Sequence, residues 1–248
     1  MKMDSLGIYL IVKPDTLERL ENTLAITKYL ATHFEANIYL WEVASHQNGI
    51  LENLLPGKVK YTFCQDEDPI LHRTRYINKM VSATTDKYLA IWDVDVLVPV
   101  PQVMCALKLL HEGFDFVYPY ERYFYDTSAE LRKLYLETGN LNTLMEYRSF
   151  MNELYAPNPV GGIFMAKRES YEKTGMENEA FYGWGIEDGE RFQRWLAMGM
   201  TIRRIGGPLF HLSHPRGINS YLHDDDDTLI KRRLRMSASR GKNGTIFD

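Results

Sequence analysis

Ala90-Ile91-Trp92-Asp93-Val94-Asp95-Val96-Leu97-Val98-Pro99 is an apolar run that drives into two carboxylates one residue apart, then continues as a second apolar run stopped by proline. Read as a strand, its side chains alternate faces, so Asp93 and Asp95 project to one side. Two like charges beside a core are costly to leave uncompensated. A divalent metal, held by carboxylate oxygens and completed by a phosphate-bearing ligand, would neutralise them. A solvated strand-to-loop corner is the plain alternative for so short a pattern.

Working upstream, Tyr88–Trp92 is the fourth of a series of short apolar runs. Gly7–Val12 reads as a central strand buried on both faces, Asn37–Val43 as a second and Val59–Cys64 as a third. Helical spacing fills the gaps. Asp15 and Glu18 predict a capping box ahead of Leu17, Leu20, Leu24, Ala31 and Phe34, with the helix ending near His33. Asp68-Pro69 predicts the cap of a helix through Ala83. Pro101 opens another, and Phe114–Tyr118 follows as a fifth strand. Strands alternating with helices over short connections predict an α/β fold with a mixed, mostly parallel sheet flanked by helices. In such sheets ligands gather at the carboxyl ends of strands, which is where Asp93 and Asp95 fall.

Downstream the pattern changes. Tyr118–Tyr125 packs five aromatics into eight positions, and Ser128–Leu154 reads as largely helical with a break at Gly139-Asn140: a helical insertion over about 119–157. Gly161 and Gly162 then feed a short strand, and a glycine pair lets backbone approach a ligand. In Phe181-Tyr182-Gly183-Trp184-Gly185-Ile186-Glu187-Asp188, two glycines present Trp184 on an exposed turn. Glu187 and Asp188 begin a helix whose apolar side is Phe192, Trp195 and Leu196. Acids in a first helical turn are favoured by the dipole, but that does not account for the bracketed Trp. Thr201–Ile205 and Pro208–Leu212 predict short strands or a hairpin, leading to His211-Leu212-Ser213-His214-Pro215-Arg216, whose imidazoles suit Mn²⁺, Fe²⁺ or Zn²⁺ better than Mg²⁺.

Composition excludes other classes. A formal net charge of −4 over 248 residues argues against general nucleic-acid binding. Cys64 and Cys105 stand apart in apolar surroundings and predict reduced, buried thiols. The apolar run Leu6–Val12 is too short to span a membrane, which predicts a cytoplasmic protein. The Asp224–Asp227 run, then Lys231-Arg232-Arg233, predict a solvated loop and a basic C-terminal helix able to touch anionic lipid at the inner face of the membrane.

Taken in order, WDVDVLVP, NPVGGIFMAKRESYEKTGM, FYGWGIEDGERFQRWLAMGM and FHLSHPRG resemble the catalytic domain of β-1,4-galactosyltransferases and related GT-A-fold glycosyltransferases. The segment LHRTRYINKMV, Leu71–Val81, adds to the match. The resemblance spans roughly Leu71–Gly217 and implies the GT-A (nucleotide-diphospho-sugar transferase) fold. It implies a single domain over 1–248: a donor half to about 118, the insertion, an acceptor and metal half over about 158–222, and a C-terminal helix and tail over 223–248. Asp95 and His214 would ligate Mn²⁺ (Mg²⁺ as the lesser choice), and His211 would complete the shell. Asp188 would be the general base and Glu187 an orienting acid. Arg73, Asp93, Lys13, Gly161 and Gly162 would meet the donor, and Trp184 and Tyr182 the acceptor.

The implied reaction is inverting transfer of a hexose or N-acetylhexosamine from a UDP-sugar to a saccharide or lipid-linked glycan, in bacterial surface polysaccharide synthesis. Pro159 stands where the family's galactose-selective aromatic is expected, so galactose and N-acetylgalactosamine are both donor sugars to test. A nucleotidyltransferase would want a Gly-rich basic loop where Lys13-Pro14-Asp15 stands. A glycoside hydrolase or a non-catalytic carbohydrate-binding module has no use for the two histidines.

Overall fold

Residues 5–155, 157–220, 230–232, 234–235 and 238 are described by a computed structural model. The Asp224–Asp227 run and most of the tail lie outside them. Every residue of β1 (Leu6–Val12) is buried, as an apolar strand in mid-sheet must be. Then come α1 (Leu17–His33), β2 (Asn37–Ala44), α2 (Ile50–Leu54), β3 (Val59–Gln65), α3 (Arg73–Ser82), β4 (Tyr88–Trp92), β5 (Val96–Leu97), α4 (Val100–His111), β6 (Phe116–Tyr118) and β7 (Phe124–Asp126). The second half holds α5 (Ala129–Thr138), α6 (Leu141–Glu146), β8 (Asn152–Glu153), β9 (Ile163–Lys167), α7 (Arg168–Lys173), α8 (Glu187–Ala197), β10 (Ile202–Arg204) and β11 (Leu209–His211).

Seven strands form the main sheet in the order β10-β6-β9-β4-β1-β2-β3. All are parallel in direction except β9, which runs antiparallel to both β4 and β6. That reversal brings the amino end of β9, with Gly161-Gly162, to the carboxyl end of β4: Trp92 is opposite Ile163, and Asp93 N donates to Gly162 O at 2.9 Å. A second sheet, β5-β11-β7-β8, stands beside this edge.

Several expectations are corrected. Asp93 and Asp95 are not on a strand. β4 stops at Trp92, whose indole Nε1 donates to Val96 O at 2.8 Å and closes a turn over Asp93–Asp95. The cap of α1 is Thr16, whose hydroxyl accepts from Arg19 N, while Asp15 pairs with Arg19 instead; Leu17 is exposed. Helix α3 starts at Arg73 rather than at Asp68-Pro69, because Asp68 accepts from Ile70 N in a local turn. Strand β6 starts at Phe116, two residues late. Strands β10 and β11 are not a hairpin: β10 joins β6 in the main sheet, and β11 joins β5 and β7 in the second. The insertion is helical in α5 and α6, yet it also supplies β7 and β8. Leu196 is exposed while Trp195 is buried, stacked on Phe116 at 3.7 Å. Cys105 is exposed and Cys64 half-buried, both free.

Candidate active site

The register of the second sheet builds a three-residue cluster. Antiparallel pairing sets His211 opposite Val96, so it lies beside Asp95. Parallel pairing sets His211 opposite Asp126. Leu212 N donates to Asp95 O at 2.7 Å and carries the chain on to His214. His211 Nε2 and His214 Nε2 lie 3.8 and 3.2 Å from Asp95 Oδ2. One donor atom from each of the three residues falls within 4.8 Å of the others.

The far side of each ring is already engaged. His211 Nδ1 is 2.8 Å from Asp126 Oδ1, and His214 Nδ1 is 2.9 Å from Pro215 O. With Nδ1 engaged outward, both Nε2 atoms face Asp95, where each can carry a proton toward the carboxylate or, once deprotonated, ligate a metal, the usual arrangement behind metal-bound histidines. The donor set, one carboxylate and two imidazoles, fits Mn²⁺ better than Mg²⁺. Electrostatics agree. Burial alone would lower the pKa of His211, but Asp95 and Asp126 override it and hold the ring up at about 10. Burial would raise Asp95, yet the two histidines hold it well below the carboxylate range. Proton and divalent cation are thus alternative ways to neutralise Asp95.

Asp93 faces a different partner. Arg73, at the start of α3, meets it with Nη2 2.5 Å from Oδ1. Burial is the main influence raising the Asp93 carboxyl, with Asp95 adding to it, against the pull of Arg73. Arg73 Nη1 and Glu187 Oε2 are buried with no protein partner. Orphaned polar atoms of this kind, on two residues lining one cleft, mark places where a ligand completes the hydrogen bonding.

Across the cleft, Ile186 enters α8 with φ of 72°, which turns Glu187 and Asp188 in toward the sheet. Asp188 is fixed by Arg191 at 2.6 Å. Arg191 is buried, paired with Glu177 at 2.9 Å, and seated over Phe164 at 4.2 Å. Asp188 Oδ2 lies over Gly161, where a Cβ would approach it to 2.7 Å. Glycine is required there because the carboxylate occupies the space a side chain would need. Burial, then Asp188, push Glu187 up to about 7.

These groups line one cleft of about 700 Å³. It brings together Arg73, Asp93, Asp95, Gly161, Gly162, Trp184, Glu187, Asp188, His211 and His214. Lys13 and Tyr182 are not among its lining residues. Lys13 is tied to the main-chain carbonyl of Asp68, and the Tyr182 hydroxyl donates to the Asp68 carboxylate at 2.7 Å. Trp184 is half-buried rather than exposed, with the Arg216 guanidinium 5.7 Å from its ring centre. Asp126, Glu177 and Arg191 were not singled out from sequence. The one available signal was an Arg three residues after Asp188, at helical contact spacing.

The seven-stranded sheet with its single reversed strand overlays known folds. The crystal structure of the catalytic domain of Drosophila β-1,4-galactosyltransferase 7 with xylobiose matches with a TM-score of 0.56, at 16% identity, over 92% of this chain and 79% of that one. Glucosyl-3-phosphoglycerate synthase from Mycobacterium tuberculosis, solved with Mn²⁺, UDP and phosphoglyceric acid, matches with a TM-score of 0.55, at 13% identity, over 93% and 75%. The fold is GT-A.

By sequence, the chain resembles the β-1,4-galactosyltransferases. The family described as the N-terminal domain of galactosyltransferase matches residues 143–216. That stretch holds every cleft residue named above from Gly161 to His214 and leaves out Arg73, Asp93 and Asp95. Mouse (Mus musculus) β-1,4-galactosyltransferase 7 is 27% identical over 159 residues, 64% of this chain and 38% of that protein. The chain therefore spans about two fifths of the length of that curated relative. On the GT-A frame the cleft lies at the carboxyl end of β4, where Asp93 and Asp95 leave the sheet.

Proposed function

We propose that this chain is a metal-dependent glycosyltransferase that moves a hexose or N-acetylhexosamine from a UDP-sugar to a glycan hydroxyl with inversion. One observation carries the reading: a fixed carboxylate, Asp188, faces the same cleft as the Asp95–His211–His214 donor set, with Gly161 between the two halves left bare of side chain. The ligands of the structural relatives, Mn²⁺ and UDP in one and xylobiose in another, support donor, metal and acceptor classes alike.

Asp95, His211 and His214 would hold Mn²⁺, which when bound supplies positive charge to offset that developing on the departing diphosphate. Arg73, anchored by Asp93, presents its free Nη1 to the donor. The backbone at Gly161-Gly162 lets the sugar approach. Asp188, oriented by Arg191, accepts the proton of the acceptor hydroxyl as its oxygen bonds to the anomeric carbon and the sugar–phosphate bond breaks toward UDP. Among the described residues the other cleft carboxylates have roles elsewhere, Asp93 on Arg73, Asp95 in the metal set, Asp126 on His211 and Glu187 on the acceptor, which leaves Asp188 as base and a single displacement that inverts the anomeric centre. Glu187, near neutrality in its titration, orients the acceptor through its unpartnered oxygen, and Trp184 walls it.

Galactose or N-acetylgalactosamine as the sugar, and surface-polysaccharide assembly at the inner membrane face, are the finer parts of the same reading and rest on the sequence. Among the described residues no helix is long and apolar enough to cross a membrane. The test is Asp188→Asn. Transfer from UDP-sugars should fall to background while metal-dependent UDP binding, read by thermal shift, persists. Loss of UDP binding would make Asp188 a ligand and place the base elsewhere.

A further inference from the structure

The described C-terminal residues 230–232, 234–235 and 238 are helical, and two of them reach the cleft. Lys231 is buried, and its Nζ donates to Trp184 O at 3.0 Å, which anchors the helix on the Gly183–Gly185 turn. Arg232 and Arg235 then line the cleft. Arg235 packs on Gly189, the residue after the proposed base, where a Cβ would lie 3.0 Å from Nε. Arg216, also lining the cleft, sits over the Trp184 ring.

Among the described residues no carboxylate is paired with Arg216, Arg232 or Arg235. Arg73, Arg191 and Arg194, at the same end of the fold, are each paired with one. Three arginines on the Trp184 side give that wall a positive charge with no ion pair to a described carboxylate, since Asp188 is taken up by Arg191. Guanidinium groups match carboxylate and phosphate in planar, two-pronged geometry.

We propose that the acceptor is anionic. It would bear a carboxylate or phosphate next to the unit whose hydroxyl reacts, and Arg216, Arg232 and Arg235 would bind that group. The inference rests on the glycosyltransferase reading and adds the class of acceptor to it. It also turns the basic C-terminal segment toward the substrate rather than toward a lipid surface.

The test compares matched acceptors in Mn²⁺ with UDP-galactose and UDP-N-acetylgalactosamine: p-nitrophenyl β-glucuronide against the β-glucoside, and glucose 6-phosphate against glucose. These pairs separate carboxylate from phosphate as the recognised group. The anionic member of at least one pair should show a KM about tenfold lower, an advantage that shrinks as KCl is added. In Arg232→Gln/Arg235→Gln the advantage should fall to about twofold or less, with the Kd for UDP in Mn²⁺ unchanged by calorimetry. Equal KM values within both pairs would overturn the proposal. So would a double variant that loses UDP affinity and keeps its acceptor preference, since the arginines would then serve the donor diphosphate. Absence of any turnover, donor hydrolysis included, would overturn the glycosyltransferase reading and this inference with it.

Discussion

Replacing Glu187 by Gln should stabilise the protein, and most at neutral to alkaline pH. Glu187 is buried with Oε2 unpartnered, and burial, then the neighbouring Asp188, raise its pKa from 4.5 to about 7. The folded state therefore holds the proton over a range where the unfolded chain has lost it. The penalty is absent below pH 4.5, grows as pH rises from there, and is complete above about pH 7. At about 1.4 kcal/mol per pH unit, that interval amounts to about 3 kcal/mol. Glutamine keeps the shape and removes the charge. Urea unfolding in EDTA at pH 8 should show Glu187→Gln more stable by up to about 3 kcal/mol, equivalent to about 6–12 °C in Tm for a chain of this size. At pH 5 the gain should shrink to under about 1 kcal/mol. An equal difference at both pH values would refute the reasoning, because it would trace the effect to packing and not to a buried charge.

Two further outcomes test the geometry around the site. Asp126→Ala frees the ring of His211 that its carboxylate orients at 2.8 Å, and should weaken Mn²⁺ binding by about 10- to 100-fold in a calorimetric titration. Asp126→Asn keeps an acceptor oxygen and should retain most of the affinity; equal losses in the two variants would dismiss the orienting role. Gly161→Ala places a methyl 2.7 Å from Asp188 Oδ2. It should lower kcat by about 100-fold through displacement of that carboxylate, with UDP affinity in Mn²⁺ kept; an unchanged kcat would mean that Asp188 is not held where the reaction needs it.

Much of the main sheet could be read from residue order, because β1 and β4 are apolar runs and β2 and β3 are strand-length stretches rich in aromatic and β-branched residues, all separated by turns and helix-length segments. The second sheet could be read only at β11, within Pro208–Leu212. Its strands are two or three residues long, too short for any period to show, and β7 is hidden within an aromatic-rich stretch. Asp126 was lost with it, since only the pairing of β7 with β11 reveals why a carboxylate belongs there. Asp93 and Asp95 were recognised for a sound reason and given the wrong backbone: what aims them is the Trp92 indole clasping the Val96 carbonyl, a bond that alternation does not encode. Arg191 was missed because charged residues on an amphipathic helix ordinarily face water, whereas its partners Glu177 and Asp188 come from the loops and the helix start around it. Lys13 and Tyr182 lie close in sequence to cleft residues, but Asp68 holds both.

The cluster at Asp95 also has an order in time. Its carboxylate precedes His211 by 116 positions in the chain, and between them the described residues form six strands and five α-helices. On a ribosome, the first four strands of the main sheet can pair while the second sheet still lacks β11. A chain that has not yet reached residue 211 has the acidic turn and neither histidine. The Asp95–His211–His214 donor set is thus completed late in synthesis, after Asp188 on the opposite wall of the cleft has already been made.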